Sequence, residues 1–180
     1  MVRGFWTTVS AAVLATVLSA GAARAEEEFK ETPIGEPQIV SGLKIAAVYL
    51  APIEMEPHGI DLPASKADIH LEADIHAEKE NPNGFGAGEW IPYLTVTYRL
   101  QNTDTGKVIT GKFMPMVAKD GPHYGSNIKM PGPGNYKLTY RIESPEKQNF
   151  GRHTDPETGV GKWFQPFDVS YEFKYVPPKK

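Results

Sequence analysis

The strongest constraint on the fold is a series of short runs that have the length of β-strands and are separated by turn sequences. The runs are rich in β-branched and aromatic residues, as strands are. They cover residues 43–50, 67–77, 91–100, 108–117, 135–142 and 167–175. No segment keeps a 3.6-residue apolar period, and 17 glycines and 16 prolines would interrupt long helices. We therefore predict an all-β fold, an immunoglobulin-like antiparallel β-sandwich.

The first 25 residues have the features of an export signal. Arg3 precedes an apolar stretch from about residue 9 to residue 18, and Ala23-Arg24-Ala25 has the pattern of a cleavage site. The apolar stretch is shorter than the roughly 20 residues that cross a bilayer as a helix. We expect residues 1–25 to be a cleaved signal peptide, which directs the protein to the periplasm without direct membrane insertion.

The remaining 155 residues have the size of one domain. Residues 26–37 are acidic and then contain proline, so we predict a mobile N-terminal arm there. Residues 38–180 would form one immunoglobulin-like metal-binding domain. Loss of the signal peptide removes two arginines and changes the formal net charge from −3 to −5. This acidic balance argues against nucleic acid as a partner.

The chain has no cysteine, which excludes thiolate sites and leaves histidine, methionine and carboxylate as metal ligands. The most informative segment for such a site is residues 68–76. In a strand, one face would carry only ionisable side chains: Asp68, His70, Glu72, Asp74 and His76. The opposite face would be apolar and could build core. The same pattern also fits the solvated face of an edge strand, where charges block further pairing.

Two further segments offer ligands. Met114 and Met116 stand at the end of a predicted strand, and the loop that follows contains Asp120 and His123. A thioether is a soft ligand that favours copper, while imidazole suits copper, zinc and iron. His153 lies in another predicted loop. The alternatives are that the methionines fill core and that the histidines are ordinary surface residues.

Six stretches of the chain resemble the periplasmic ferrous-iron-transport family, whose members bind copper as well. They are residues 45–50, 52–57, 67–77, 81–93, 114–124 and 150–164. The resemblance covers nearly all of the mature chain. It implies an immunoglobulin-like homodimer that works with an inner-membrane iron permease.

The resemblance also implies site residues. Its copper ligands fall on His70, Met116, His123 and His153. Glu72 would lie beside the copper, and His153 would be contributed by the second protomer. A further site for a harder cation, iron or manganese, would draw on Glu72, Asp120 and Glu31.

The hypothesis that follows is a protein that captures Fe(II) and presents it to the permease, while copper supports the binding or oxidation of iron. The alternative is copper storage, delivery or detoxification without a role for iron. A copper oxidase or dismutase is a third interpretation, although the chain contains neither GxSxG nor HExxH and is not predicted to be a classical enzyme. A structural or adhesive immunoglobulin-like domain is the fourth.

Overall fold

A computed structural model describes Met1 and residues 30–178, and within them the chain forms ten β-strands and two short 3-10 helices. Apart from Met1, the predicted signal peptide lies outside the described residues, as do residues 26–29 of the predicted arm. No helix in residues 30–178 is long and apolar enough to cross a bilayer.

The strands form two antiparallel sheets. Their bounds are β1 (Thr32–Pro33), β2 (Gln38–Val40), β3 (Leu43–Leu50), β4 (Ile69–Ala77), β5 (Thr95–Asn102), β6 (Val108–Lys112), β7 (Met114–Ala118), β8 (Gly121–Ile128), β9 (Gly134–Glu143) and β10 (Phe167–Tyr175). One sheet has the order β1-β3-β4-β8-β7, with β2 also paired to β3, and the other has the order β10-β9-β5-β6. The 3-10 helices are Ala64–Lys66 and Pro145–Gln148. The prediction of an all-β, immunoglobulin-like sandwich is confirmed.

The core lies between the sheets and is built from the inward-facing positions of both. Its most deeply buried members include Leu43, Ile45, Leu71, Ile75, Leu100, Leu138, Tyr140 and Ile142. Burying a large apolar side chain of this kind contributes roughly 1.5–3 kcal/mol. Two tyrosine hydroxyls also connect the sheets: Tyr171 donates to the carbonyl of Ile45 at 2.9 Å and Tyr140 to that of Glu72 at 2.8 Å. The second bond fixes the backbone of β4 at Glu72.

The sequence prediction is wrong at the run 108–117, which is two strands in different sheets. β6 ends at Lys112 in the four-stranded sheet, and β7 begins at Met114 at the edge of the six-stranded one. Phe113 lies between them, 2% exposed in the core, and its N–H donates to the carbonyl of Val96 at 2.9 Å. The buried ring anchors the chain where it crosses between the sheets.

The segment after β7 is also a strand and not the predicted loop, since Gly121–Ile128 is β8. The predicted mobile arm differs as well, because β1 pairs with β3 and Ile34 is fully buried. The N–H of Ile34 donates to the carbonyl of Ala47 at 2.7 Å. Strand pairing and the burial of Ile34 together hold the described end of the arm against the sheet.

Candidate metal centre

The ionisable face of β4 lies in the middle of the six-stranded sheet. β4 pairs with β3 on one side and with β8 on the other, so the interpretation as an edge strand is wrong. Its outer face is also covered, since His70 is 0% and Glu72 2% exposed. Buried ionisable groups need partners or a bound ion. The outer face of β4 is therefore the place to look for a site.

Strand register brings the ligand candidates of three strands together. Glu72 stands opposite Gly125 of β8, and Gly125 stands opposite Met114 of β7. Two residues before Gly125, on the same face of β8, His123 stands opposite Met116. Residues two apart on a strand share a face, so the histidine of β8 and both methionines face the same side as Glu72.

Three side chains converge on one point. Oε1 of Glu72 lies 3.4 Å from Nε2 of His70 and 3.3 Å from Nε2 of His123. One ligand atom from each of the three residues lies within 4.8 Å of the other two. Both Nε2 atoms are buried without a hydrogen-bond partner among the described residues. Buried polar atoms normally have a hydrogen-bond partner. Two imidazole nitrogens without one, both directed at the same carboxylate, fit the ligand set of a metal ion.

The orientation of His70 is set by Asn127. The amide nitrogen of Asn127 donates to the carbonyls of Ile53 and Leu62, each at 2.8 Å. Its Oδ1 therefore faces the imidazole, 3.0 Å from Nδ1 of His70. Because Oδ1 can only accept, Nδ1 carries the proton and the lone pair of Nε2 points into the cluster. This is the usual way in which an outer residue prepares a histidine ligand.

Gly125 provides the space for the His70 ring. A Cβ at position 125 would lie 2.6 Å from Nε2 of His70 and 3.1 Å from its Cε1. Any residue other than glycine would thus displace the imidazole from the point where it meets Glu72. The glycine is required by the close approach of the His70 ring and not by a turn.

Burial determines the electrostatics of the cluster. Burial lowers the pKa of His70 to about 4, and it also lowers the pKa of His123. Burial, and then the charges of Asp74, Glu31 and Asp120, raise the pKa of Glu72 to about 8. The protein alone therefore holds neutral imidazoles beside a protonated carboxyl at pH 7. A bound cation would favour the ionised carboxylate, so binding should release a proton.

Carboxylates gather next to this cluster. The carboxyl of Glu31 lies within hydrogen-bonding reach of Asp120 and Glu72. Burial, followed by the charges of Glu31 and Asp120, raises the pKa of Asp74 to about 6, and burial and Asp120 raise that of Glu31. Glu31, Asp74 and Asp120 border a cavity of about 200 Å³ that His123 also lines. Carboxylates that raise one another's pKa in this way suit a hard divalent cation.

Residues 28–177 match the family described as Fe2+ transport protein. The chain belongs to this family. The resemblance found in the sequence is thereby confirmed.

Several relatives and solved structures are closely similar to this chain over most of its length. A UPF0423 protein of Brucella abortus is 58% identical over 150 residues, covering 82% of each protein. The copper-reconstituted P19 protein of Campylobacter jejuni is 64% identical with a TM-score of 0.82, covering 84% of this chain and 99% of that one. A copper-bound variant of FetP from uropathogenic Escherichia coli is 66% identical with a TM-score of 0.82, covering 84% and 96%.

The other residues predicted for the copper site of this family member are placed differently. Met116 is half-buried and lines a larger cavity together with Glu72 and His123. His153 is exposed in the loop before β10, where its Nδ1 lies 2.7 Å from Oγ1 of Thr158. Within one chain it is not part of the cluster formed by His70, Glu72 and His123.

Residues that prepare the site were missing from the sequence prediction. The alternating pattern places Asp74 on the ionisable face of β4 but does not assign it to the carboxylate group around Glu31 and Asp120. Asn127 and Gly125 carry no local signal, because their roles depend on the pairing of β8 with β4. Asp61 supports this pairing by accepting from the backbone N–H of Asn127 at 2.6 Å. A glycine in a strand is the one general signal that could have been used, since it often marks a close approach.

Proposed function

We propose that this chain is a periplasmic metal-binding protein that binds copper and Fe(II) and supports iron uptake through an inner-membrane permease. The observation that carries the proposal is the convergence of His70, His123 and Glu72 on one buried point. Membership of the Fe2+ transport protein family supports the iron role. The copper-bound relatives P19 and FetP support the copper role.

The proposed copper ligands are His70, Met116 and His123, with Glu72 beside them and His153 supplied by a second copy in a homodimer. Imidazole nitrogen accepts Cu(II), while the thioether of Met116 also accepts Cu(I). Exposure of the His153 ring leaves it available to another protomer. When bound, copper would supply one-electron chemistry to neighbouring iron.

The proposed site for Fe(II), with manganese as a substitute, uses Glu31, Glu72 and Asp120, and we add Asp74. These oxygens are hard ligands, and a divalent cation among them would offset the mutual repulsion of the carboxylates. Glu72 has a place in both sites, so its carboxylate can turn toward either metal. A site for copper alone has no need of this acidic group, which favours the iron-uptake function over copper storage.

Two substitutions test the proposal. His123→Ala should lose most Cu(II) binding in a titration followed by electron paramagnetic resonance. Asp120→Ala should keep one copper per chain but fail to support growth in iron-limited medium. Asp168→Ala, at an exposed acid on the four-stranded sheet, is the matched control and should behave as the wild type.

Each outcome has a separate meaning. Copper binding that is indifferent to His123→Ala would contradict the copper site. Normal growth of Asp120→Ala, together with normal growth of Glu31→Ala, would remove the iron role and leave copper storage or delivery as the function.

A further inference from the structure

The methionines of this chain are concentrated at one cavity. The sequence has five methionines, and Met130 is a core residue, 6% exposed. Met55, Met114 and Met116 are instead half-buried, and all three line a cavity of about 590 Å³. Core filling, the usual role of methionine, thus accounts for Met130 but not for the other three.

The cavity connects the surface with the proposed copper cluster. Its inner wall includes Glu72 and His123. One side is β7, where Met114 and Met116 share a face and stand opposite Gly125 and His123. The other side is the segment after β3, which contributes Met55. Thioethers from both sides therefore border the same space.

The chemistry of these walls selects a soft ion. A thioether is neutral and polarisable, binds Cu(I) well and has little affinity for Fe(II) or Mn(II). Apolar residues make up much of the remaining wall, including Ile53, Pro57 and Val117. Leucine would form an apolar wall equally well, so the repeated choice of sulfur indicates a ligand role.

We propose that Met55, Met114 and Met116 form a Cu(I) site in this cavity, which shares Met116 with the histidine–carboxylate cluster but is otherwise distinct from it. The inference rests on the proposed function in one respect: copper would pass from this site to the histidine–carboxylate cluster. Copper arriving as Cu(I) would be held first by sulfur, without any change of oxidation state at this step.

The test is an anaerobic Cu(I) titration of the mature protein in competition with bicinchoninate. The double variant Met55→Leu/Met114→Leu keeps the apolar volume and Met116 but removes two sulfurs. We expect its Cu(I) affinity to fall at least tenfold, while the Cu(II) resonance spectrum of the cluster stays unchanged. Met130→Leu is the matched control and should keep the wild-type Cu(I) affinity. Copper X-ray absorption should show fewer sulfur neighbours in the double variant only.

Three results would decide the matter. Unchanged Cu(I) affinity and sulfur coordination in the double variant would overturn the site. Equal loss of Cu(I) and Cu(II) binding in a variant with a wild-type circular dichroism spectrum would also overturn it, because the methionines would then belong to the cluster. Sulfur-dependent Cu(I) binding in a protein whose cluster takes no Cu(II) would support this site while contradicting the proposed function.

Discussion

Both faces of β4 are buried at residues 69–73, but the two faces differ in what surrounds them. On the inner face, Leu71 and Ile75 are 0% exposed and pack against apolar side chains of both sheets. On the outer face, His70 is also 0% exposed, yet its Nε2 has no hydrogen-bond partner within the described chain. Burial on the inner side stabilises the fold. Burial on the outer side favours the neutral form of each ionisable group, so it lowers the pKa of the histidines and raises that of the carboxyls. A bound cation would favour neutral imidazoles and ionised carboxylates.

The largest expected effect separates these two faces. Leu71→Ala should lower the free energy of unfolding by about 2–5 kcal/mol, because it leaves a cavity in the core. The folded variant should still bind one copper per chain. His123→Ala should show the opposite behaviour. It should lose copper binding, while its free energy of unfolding should change less than that of Leu71→Ala. Denaturant unfolding and copper titration of both variants would measure this, and loss of copper by folded Leu71→Ala would break the comparison.

A second prediction concerns the residue that orients the outer face. Asn127→Ala removes the acceptor that fixes the proton on Nδ1 of His70, and residues of this kind typically change metal affinity 10–100-fold. We expect a copper affinity lower by about this factor. Asn83 is the matched control, because it is a buried asparagine whose amide donates to the carbonyls of Gly161 and Lys162. An equal loss of affinity in Asn83→Ala would show a general structural effect instead.

The smallest expected effect is a pH dependence of the metal-free protein between pH 6.5 and 8. The folded pKa of Glu72 is about 8 against an ordinary 4.5, so in this interval the folded carboxyl holds a proton that the unfolded one has released. Stability therefore falls as the pH rises. The free energy of unfolding should drop by about 1 kcal/mol across the interval, which denaturant unfolding in the presence of a chelator would measure.

Glu72 has the largest effect of any single group in this interval. The lowered pKa values of His70 and His123 act in the opposite direction near and below pH 6.5, because the unfolded imidazoles there bind protons that the folded ones do not. Asp74, with a pKa of about 6, is largely ionised in both states above that pH. Glu72→Gln should remove the slope, and Glu172→Gln, at an exposed position of β10, should retain it. If stability still falls with rising pH in Glu72→Gln, the pH dependence belongs to another group.

The sequence predicted what depends on local pattern. Alternation placed His70 and Glu72 on one face of a strand, and the bounds of β3 and β10 agree with the predicted runs. Residue chemistry offered Met116, His123 and His153 as possible ligands, and the resemblance to the ferrous-iron-transport family assigned them to one copper site.

What the sequence could not predict depends on long-range pairing. β8 is rich in glycine and small polar residues, so it has no strand signal of its own and forms because β4 and β7 flank it. Both halves of the run 108–117 have the pattern of a strand. The sequence therefore does not show that the chain crosses between the sheets at Phe113. Gly125 and Asn127 gain their roles only from the register with β4.

That register has a consequence for how the protein reaches its native state. A slip of one residue between β8 and β4 would turn His123 toward the core and Tyr124 away from it, because side chains alternate strictly along a strand. Only a correctly aligned chain would then bring His70, Glu72 and His123 together. The fraction of chains that bind copper after refolding would therefore measure the fraction with the native register.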